Sequence, residues 1–389
     1  MTDIEAAGGV TADRVPAPPV VPTVEMETLR QWLESGIPVT IVDVRPAAQR
    51  AEWHIPGSLH IDASEALRAR IPGALDAVSQ SAVAPVVAVC AMGRTSLLAV
   101  EALRARGIDA RSLNGGMRAW SLAWNIAELP PLTGNVTVIQ VRRTGKGCLS
   151  YMVAAGGEAA VIDASVEPEV YRNIAARRGW RIAALVETHV HADHLSRSRA
   201  IADALGAAVY LPEQERVSFP YVTVQDGDVI PLGGNPRLLR ALRTPGHTTE
   251  STCYLLGEAV LFSGDTLFLK GVGRPDLEGG AAEAAPRAHE LHRSLQRLVR
   301  MPGNPIVLPS HTPDPVRFDG LLIGTPLDYL RRENRMLCLG EEEFVDTITA
   351  GIPPTPANYA AIVARNQTGL FPDVDPTILE AGSNRCAVG

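Results

Sequence analysis

Residues 187–195 read Glu-Thr-His-Val-His-Ala-Asp-His-Leu and place His189, His191, Asp193 and His194 within six positions. Imidazole and carboxylate are ligands for zinc and for non-haem iron, and four so close are hard to account for by packing. Three more ligand types stand at or just past apolar, strand-like runs. His247 follows "LLRALRTPG", Asp265 ends "AVLFSGD" and His311 ends "PIVLPSH". Loops at the ends of several strands of one sheet converge at a single edge, so these groups can meet. Taken singly, Asp193 could be a helix N-cap and any one histidine a core donor. Spacing permits two chemistries. All seven groups can hold two Zn ions that share Asp265 and activate a water for hydrolysis. His189, His247 and Asp265 alone give two imidazoles and a carboxylate, the arrangement of single Fe(II) sites that keep positions open for O2.

A second reactive stretch is "VCAMGRTS". Cys90 ends a buried strand and precedes a helix expected from Thr95. The loop between them holds Gly93 and Arg94. Backbone N–H groups of a tight loop, a helix N-terminus and a cationic Arg all favour thiolate over thiol, and stabilise a persulfide on the same sulfur. The plainer reading, an inert core cysteine, fits the strand–Cys–loop–helix context less well. Cys148, Cys253, Cys338 and Cys386 have no such context and receive no role. His54 and His60 flank a turn and are expected to be structural, and His289 and His292, three apart on an amphipathic helix, to face solvent.

Two domains are expected to position these groups, since 389 residues exceed one ordinary core. Residues 1–22, rich in Ala, Pro and Val without a period, are expected as a disordered tail. Over 23–125, strand-like and helix-like runs alternate, which argues for an α/β domain with a parallel sheet flanked by helices. The Pro and Gly of 126–134 mark a linker. From 135 to 389, three β-like runs lead through a helix and the strand "RIAALVET" into the histidine cluster. The start of a helix in "LSRSRAIADALG" is expected to aim Asp193 and His194. With 46% hydrophobic and 20% charged residues, the composition is that of a globular protein. A net charge of −7 speaks against a nucleic-acid surface, and no apolar run approaches a membrane span. The five scattered cysteines and the polar start without an apolar core point to a reducing, cytoplasmic setting and no signal peptide.

His-x-His-x-Asp-His followed by "TPGHT", "SGDT" and a last His resembles the metallo-β-lactamase superfamily over about 135–345, which implies an αββα sandwich with metal at one edge. "SGDTLFLKGVGRPDLEG" and "RENRMLCLGEEEFV" resemble its persulfide dioxygenase branch. That resemblance implies one Fe(II) per chain on His189, His247 and Asp265. His191, Asp193, His194 and His311 would then orient water and O2, and Arg274 would lie near the substrate. Glyoxalase II, the hydrolase relative, shares the Gly-Asp-Thr-Leu-Phe start but usually continues with an aromatic pair where this chain has Pro275, Asp276 and Leu277. Where the dioxygenase branch usually has His-Asp-Tyr, this chain has His311-Thr312-Pro313, at the edge bordering the substrate pocket.

The first domain resembles a single rhodanese over about 23–125, through "VDVRPAAQRAEWHIPGSLHI", the six-residue loop "CAMGRT" and "LNGGMRAW". That implies sulfane-sulfur transfer on Cys90 with Arg94, and a structural Asp43–Arg45 pair. Together the resemblances imply oxidation of a small thiol persulfide, such as glutathione persulfide, by O2 to thiol and sulfite. Cys90 would exchange sulfane sulfur with thiosulfate or sulfite. The alternative is a dizinc thioester hydrolase of the glyoxalase II type with an attached sulfurtransferase. A third reading makes the first domain a persulfide sensor or sulfur-carrier docking module. Relatives of the second domain often pair, which allows a homodimer.

Overall fold

The computed structural model describes residues 21–132, 135–382 and 384–389. The tail expected over 1–22 falls outside the described residues except for its last two. Of these, Pro22 accepts a hydrogen bond from Ser112 N at 2.9 Å as the first sheet begins.

Val, Ile and Ala runs buried on both faces form parallel strands because helices cover both sides. Five such strands make the first sheet, in the order Thr23–Val24, Ala110–Leu113, Val86–Val89, Thr40–Asp43, Leu59–His60, all parallel. Val86, Val87, Ala88 and Val89 are fully buried at its centre. Helix Met26–Glu34 and helix Thr95–Ala105 are among those flanking it. Arg45 clamps Asp43 through Nε at 2.9 Å and an η nitrogen at 2.7 Å, so this pair braces the sheet as the sequence implies.

The second domain stacks two sheets. The first has seven strands, in the order Val222–Val224, Ala208–Pro212, Arg181–Val186, Glu158–Ile162, Leu149–Ala155, Thr137–Arg142, Asn125–Glu128. The second has six, in the order Val229–Leu232, Asn235–Arg243, Thr252–Leu256, Val260–Gly264, Ile306–Pro309, Thr325–Pro326. Their facing sides interdigitate through Val138, Tyr151, Val153 and Ile162 against Leu239, Ala241, Tyr254 and Phe262. Helices Pro168–Arg178 and Ser198–Leu205 cover the outside of the first sheet; Gly280–Val299 and Glu341–Ala350 cover the second. This is the αββα sandwich, preceded by the α/β domain.

The structure differs from the sequence reading between the domains. The first three residues of 126–134, expected as linker, are strand: Asn125–Glu128 pairs antiparallel with Thr137–Arg142. Ala127 and Leu129 turn inward while Glu128 reaches out to Arg178, an alternation that the Pro130-Pro131 turn signal obscures. Residues 133 and 134 lie outside the described residues. The domains are also stitched by side chains. The Trp53 indole donates to Thr144 O at 2.9 Å, and Arg118 reaches Asp375 at 2.6 Å and Thr377 at 2.9 Å. Among the described residues, no helix is long and apolar enough to cross a membrane.

His54 and His60 face backbone carbonyls of Arg50 and Arg45, consistent with structural parts. His289 and His292 depart from the expectation. Both are half-buried against the helix Glu341–Ala350 and the turn before it: His289 pairs with Glu341 at 2.8 Å, and His292 lies 3.2 Å from Leu339 O.

Candidate metal centre and cysteine loop

Each metal-type residue leaves the end of a strand of the stacked sheets. The strand Arg181–Val186 delivers Glu187 to Leu195, Asn235–Arg243 delivers His247, Val260–Gly264 delivers Asp265 and Ile306–Pro309 delivers His311. His189, His247 and Asp265 meet: one ligand atom from each lies within 4.8 Å of the others, and all three residues are buried. His247 Nε2 is 3.5 Å and His189 Nε2 3.8 Å from Asp265 Oδ2. Partners behind them fix which nitrogen points inward. His189 Nδ1 is 2.9 Å from Thr188 Oγ1, whose hydroxyl is held by Asp163, and His247 Nδ1 donates to Arg274 O at 2.9 Å. Gly273 permits the approach, because a Cβ there would lie 2.0 Å from Asp265 O and 2.9 Å from His247 Cβ. Burial, then the neighbouring histidines, holds His189 well below the usual imidazole range, so it is a neutral donor.

His191 faces two ways: its Nδ1 is buried without a hydrogen-bond partner among the described residues, with its ring centroid 4.2 Å from those of His189 and His194. Its Nε2 lies 3.0 Å from Glu187 and 3.2 Å from Asp163, in a separate buried group. Burial opposes its charge, but these carboxylates outweigh burial and hold it well above the imidazole range. Asp193, His194 and His311 gather on the other side of Asp265. His311 Nδ1 is 2.7 Å from Asp265 Oδ1, and His311 Nε2 is 2.8 Å from Asp193 Oδ2 but off the line of a hydrogen bond.

A buried polar atom without a partner costs about 1–3 kcal/mol and is rare in a folded protein. Here His189 Nε2, His191 Nδ1, Asp265 Oδ2, His194 Nε2 and His311 Nε2 are all buried without a hydrogen-bond partner among the described residues, clustered in one region. A cation is what such a donor set fits.

Two expectations change. The helix after the cluster begins only at Ser198, too late to aim Asp193 and His194. The C-terminal segment holds them instead. Asn366 Nδ2 donates to His191 O and His194 O, each at 2.8 Å, Asn384 Nδ2 donates to Asp193 Oδ2 at 2.8 Å, and Glu380 accepts from Leu195 N at 2.6 Å. Arg274, expected beside the substrate, is fully buried. Its guanidinium is engaged by Asp276, Thr355 Oγ1 and the carbonyls of Pro353 and Arg385, so it ties the tail to the strand beside His247.

Glu380 is itself buried, 2.7 Å from Arg143 and 3.4 Å from Arg197. Replacing it by Ala removes the carboxylate that pairs with the buried Arg143 and leaves Arg197 to Glu167 and Leu195 O, and is expected to cost about 3–5 kcal/mol in urea unfolding. Glu380→Gln, which keeps the shape, should cost less.

In the first domain, Cys90 is 4% exposed at the end of the strand Val86–Val89, with Sγ 3.3 Å from Ser96 Oγ. The loop rests on the Gly115-Gly116 turn: Met117 N donates to Cys90 O at 2.8 Å and Arg118 N to Ala91 O at 3.0 Å. Gly116, at φ +60°, is required there, since a Cβ would lie 2.3 Å from Cys90 O. Arg94 is exposed at the start of the helix Thr95–Ala105. A sulfur at a strand end, in contact with Ser96 at a helix start, can carry a transferable sulfur atom.

Residues 25–123 match the profile of the rhodanese-like domain and residues 143–311 that of the metallo-β-lactamase superfamily. Hydroxyacylglutathione hydrolases of Methylobacillus flagellatus and Maricaulis maris are each 36% identical over 155 and 158 residues, about 40% of this chain. The chain spans only 58% and 57% of their lengths. A metallo-β-lactamase structure from Staphylococcus aureus aligns with a TM-score of 0.55 and 27% identity over 61% of this chain and 73% of its own. The structure of ETHE1 from Myxococcus xanthus aligns with a TM-score of 0.51 and 29% identity, over 59% of this chain and 96% of its own.

Proposed function

We propose that this chain, a rhodanese-like domain followed by a domain of metallo-β-lactamase fold, is a sulfur-metabolism enzyme that oxidises a small thiol persulfide and exchanges its sulfane sulfur at Cys90. The overall oxidation is RSSH + O2 + H2O giving RSH and sulfite with its two protons. The observation that carries this reading is the convergence of His189, His247 and Asp265, with the Nε2 side of His191 turned to Glu187 and Asp163. Two imidazoles and one carboxylate leave much of an octahedral sphere open, as Fe(II) sites that use O2 require. Bound there, one Fe(II) would supply open positions for persulfide sulfur and O2. The protein's part is to fix those three donors, keep His189 neutral and shield the centre from bulk water. ETHE1, spanned nearly to its full length, supports this reading alongside the sequence motifs.

A cavity of about 300 Å3 opens beside His311 and is lined by Leu269, Lys270, Thr312, Arg317 and Leu321 among others. Its Thr312-Pro313 wall takes the place of the acid and aromatic usual in the dioxygenase branch. We assign it to the thiol carrier. Lys270 pairs with Asp314 at 2.7 Å, and Arg317 is exposed, so both cations can meet a carrier's carboxylates. Lys270→Ala and Arg317→Ala should each raise KM for glutathione persulfide about 2–5-fold with kcat nearly unchanged, since exposed ion pairs contribute under about 1 kcal/mol. An uncharged alkyl persulfide should show no such change.

The hydroxyacylglutathione hydrolases favour the second reading, a dizinc thioester hydrolase with an attached sulfurtransferase. Metal analysis separates the two: iron in the first case, two zinc and no iron in the second. The five cysteines are free, in keeping with a reducing cytoplasm, where we place this chemistry.

A further inference from the structure

The loop after Cys90 opens onto a cavity of about 380 Å3 that both domains line. Ala91 and Met92, the two residues after Cys90, form one side together with Trp53 and Met117. Gly145, Ile378 and Ala381 of the second domain form the other. We propose that the second domain completes the acceptor site of Cys90, and that the cavity takes an amine-bearing small thiol, which receives sulfane sulfur there. The proposal deepens the reading above and rests on its sulfur exchange at Cys90.

Three observations carry it. The first is position. Cys90 is 4% exposed, so a thiol must approach it over its own loop, where the cavity lies. The second is apolar surface left open in both domains. Met92 is 52% and Ile378 60% exposed, and both line this one cavity. Large apolar side chains that converge from two domains on a cavity of ligand size mark a binding site rather than scattered surface. The third is charge. The two arginines of the lining are already engaged, Arg45 by Asp43 at 2.7 Å and Arg118 by Asp375 at 2.6 Å. Glu52 also lines the cavity, and its exposed carboxylate has no hydrogen bond or ion pair among the described residues. A free anion at the rim of an apolar cavity suits the ammonium of an amino-acid or peptide thiol.

The wall from the second domain is firm. Asp375 caps the short helix Pro376–Leu379, accepting from Thr377 N at 2.9 Å, and Thr377 Oγ1 accepts from Arg118 Nε at 2.9 Å. Arg118 N in turn donates to Ala91 O at 3.0 Å, so one residue ties the Cys90 loop to the wall that faces it. Glu380, beside Ala381, is buried against Arg143 at 2.7 Å. In the transfer, a thiolate RS− held in the cavity attacks the outer sulfur of the Cys90 persulfide. A new RS–S bond forms, the bond from Cys90 Sγ breaks, and Cys90 leaves as thiolate while RSSH is released.

The test is steady-state sulfur transfer from thiosulfate to thiols by the full-length protein, with KM and kcat read separately. Ala381→Trp, which fills the cavity from an exposed position, should raise KM for glutathione roughly 10-fold or more. Thiosulfate alone should still load Cys90 of this variant with one sulfur atom, seen by intact-protein mass spectrometry, so damage to the loop reads out separately. Glu52→Gln should raise KM for glutathione and for cysteine about 2–5-fold, and leave KM for 2-mercaptoethanol, which has no amine, unchanged. A glutathione KM unmoved in both variants, or one for 2-mercaptoethanol raised equally by Glu52→Gln, overturns the proposal. Wild-type Cys90 that takes no sulfur from thiosulfate removes the exchange itself, and the proposal with it. Oxygen uptake on supplied persulfide reads the metal centre alone, so failure of the oxidation reading and failure of this site are told apart.

Discussion

Replacing Asp265 by Ala is expected to abolish O2 consumption and to weaken iron binding by roughly 100-fold or more. The magnitude follows from position. Asp265 supplies the one carboxylate of the triad, and its Oδ2 is buried without a partner 3.5 Å from His247 Nε2 and 3.8 Å from His189 Nε2. Burial opposes its charge, but His311 and then His247 hold its carboxyl below the usual range, so it is an ionised ligand at neutral pH. Ala leaves two imidazoles, too few for a hard divalent ion in a buried site. It also removes the partner of His311 Nδ1. Iron content per folded chain, read beside the far-ultraviolet dichroism, separates loss of metal from loss of fold. Retained iron with normal O2 uptake would show that the ion sits elsewhere.

Cys90→Ser is expected to remove thiosulfate:thiol sulfur transfer by a factor on the order of 10^4 or more, as loss of a covalent nucleophile does. In that reaction the Cys90 thiolate attacks the outer sulfur of thiosulfate. A new S–S bond forms, the old one breaks and sulfite leaves. A small thiolate then takes the terminal sulfur, giving RSSH and restoring Cys90. Serine keeps the contact with Ser96 and the Met117–Cys90 backbone bond, so the loop should stand. Oxygen uptake on supplied persulfide should survive largely intact, because the metal ligands belong to the other domain. If both activities vanish together, the two sites are not separate.

The reactive residues are legible in the sequence because ligand type and strand-end placement are local. His189, His191, Asp193, His194, His247, Asp265 and His311 could be named as ligand candidates from their neighbours, and Cys90 from its Gly93-Arg94 loop, while the choice of three among the seven came from the family resemblance. The layers of both domains follow from alternation and periodicity for the same reason. What holds the ligands is not legible. Asn366, Glu380 and Asn384 act on the histidine loop across 172 to 191 residues of chain, and nothing in their immediate sequence marks them. Cys148 carries no motif either, and only the fold shows its bridge to His311. Arg274 shows the converse. A motif position implied contact with substrate, yet Asp276 two residues on supplies a buried partner that turns the guanidinium into the protein.

The same distinction explains the region between the domains. Pro130, Pro131 and Gly134 signal a break, but the four-residue strand before them gains its place only by pairing with Thr137–Arg142. Edge strands this short are set by their neighbours more than by their own propensity.

The most direct test is metal content and O2 uptake measured together on protein purified anaerobically and supplied with glutathione persulfide. The account predicts about one iron per chain, and O2 consumed in step with sulfite released. Full iron occupancy without O2 uptake would contradict it. So would two zinc ions and no iron in a protein that hydrolyses a glutathione thioester.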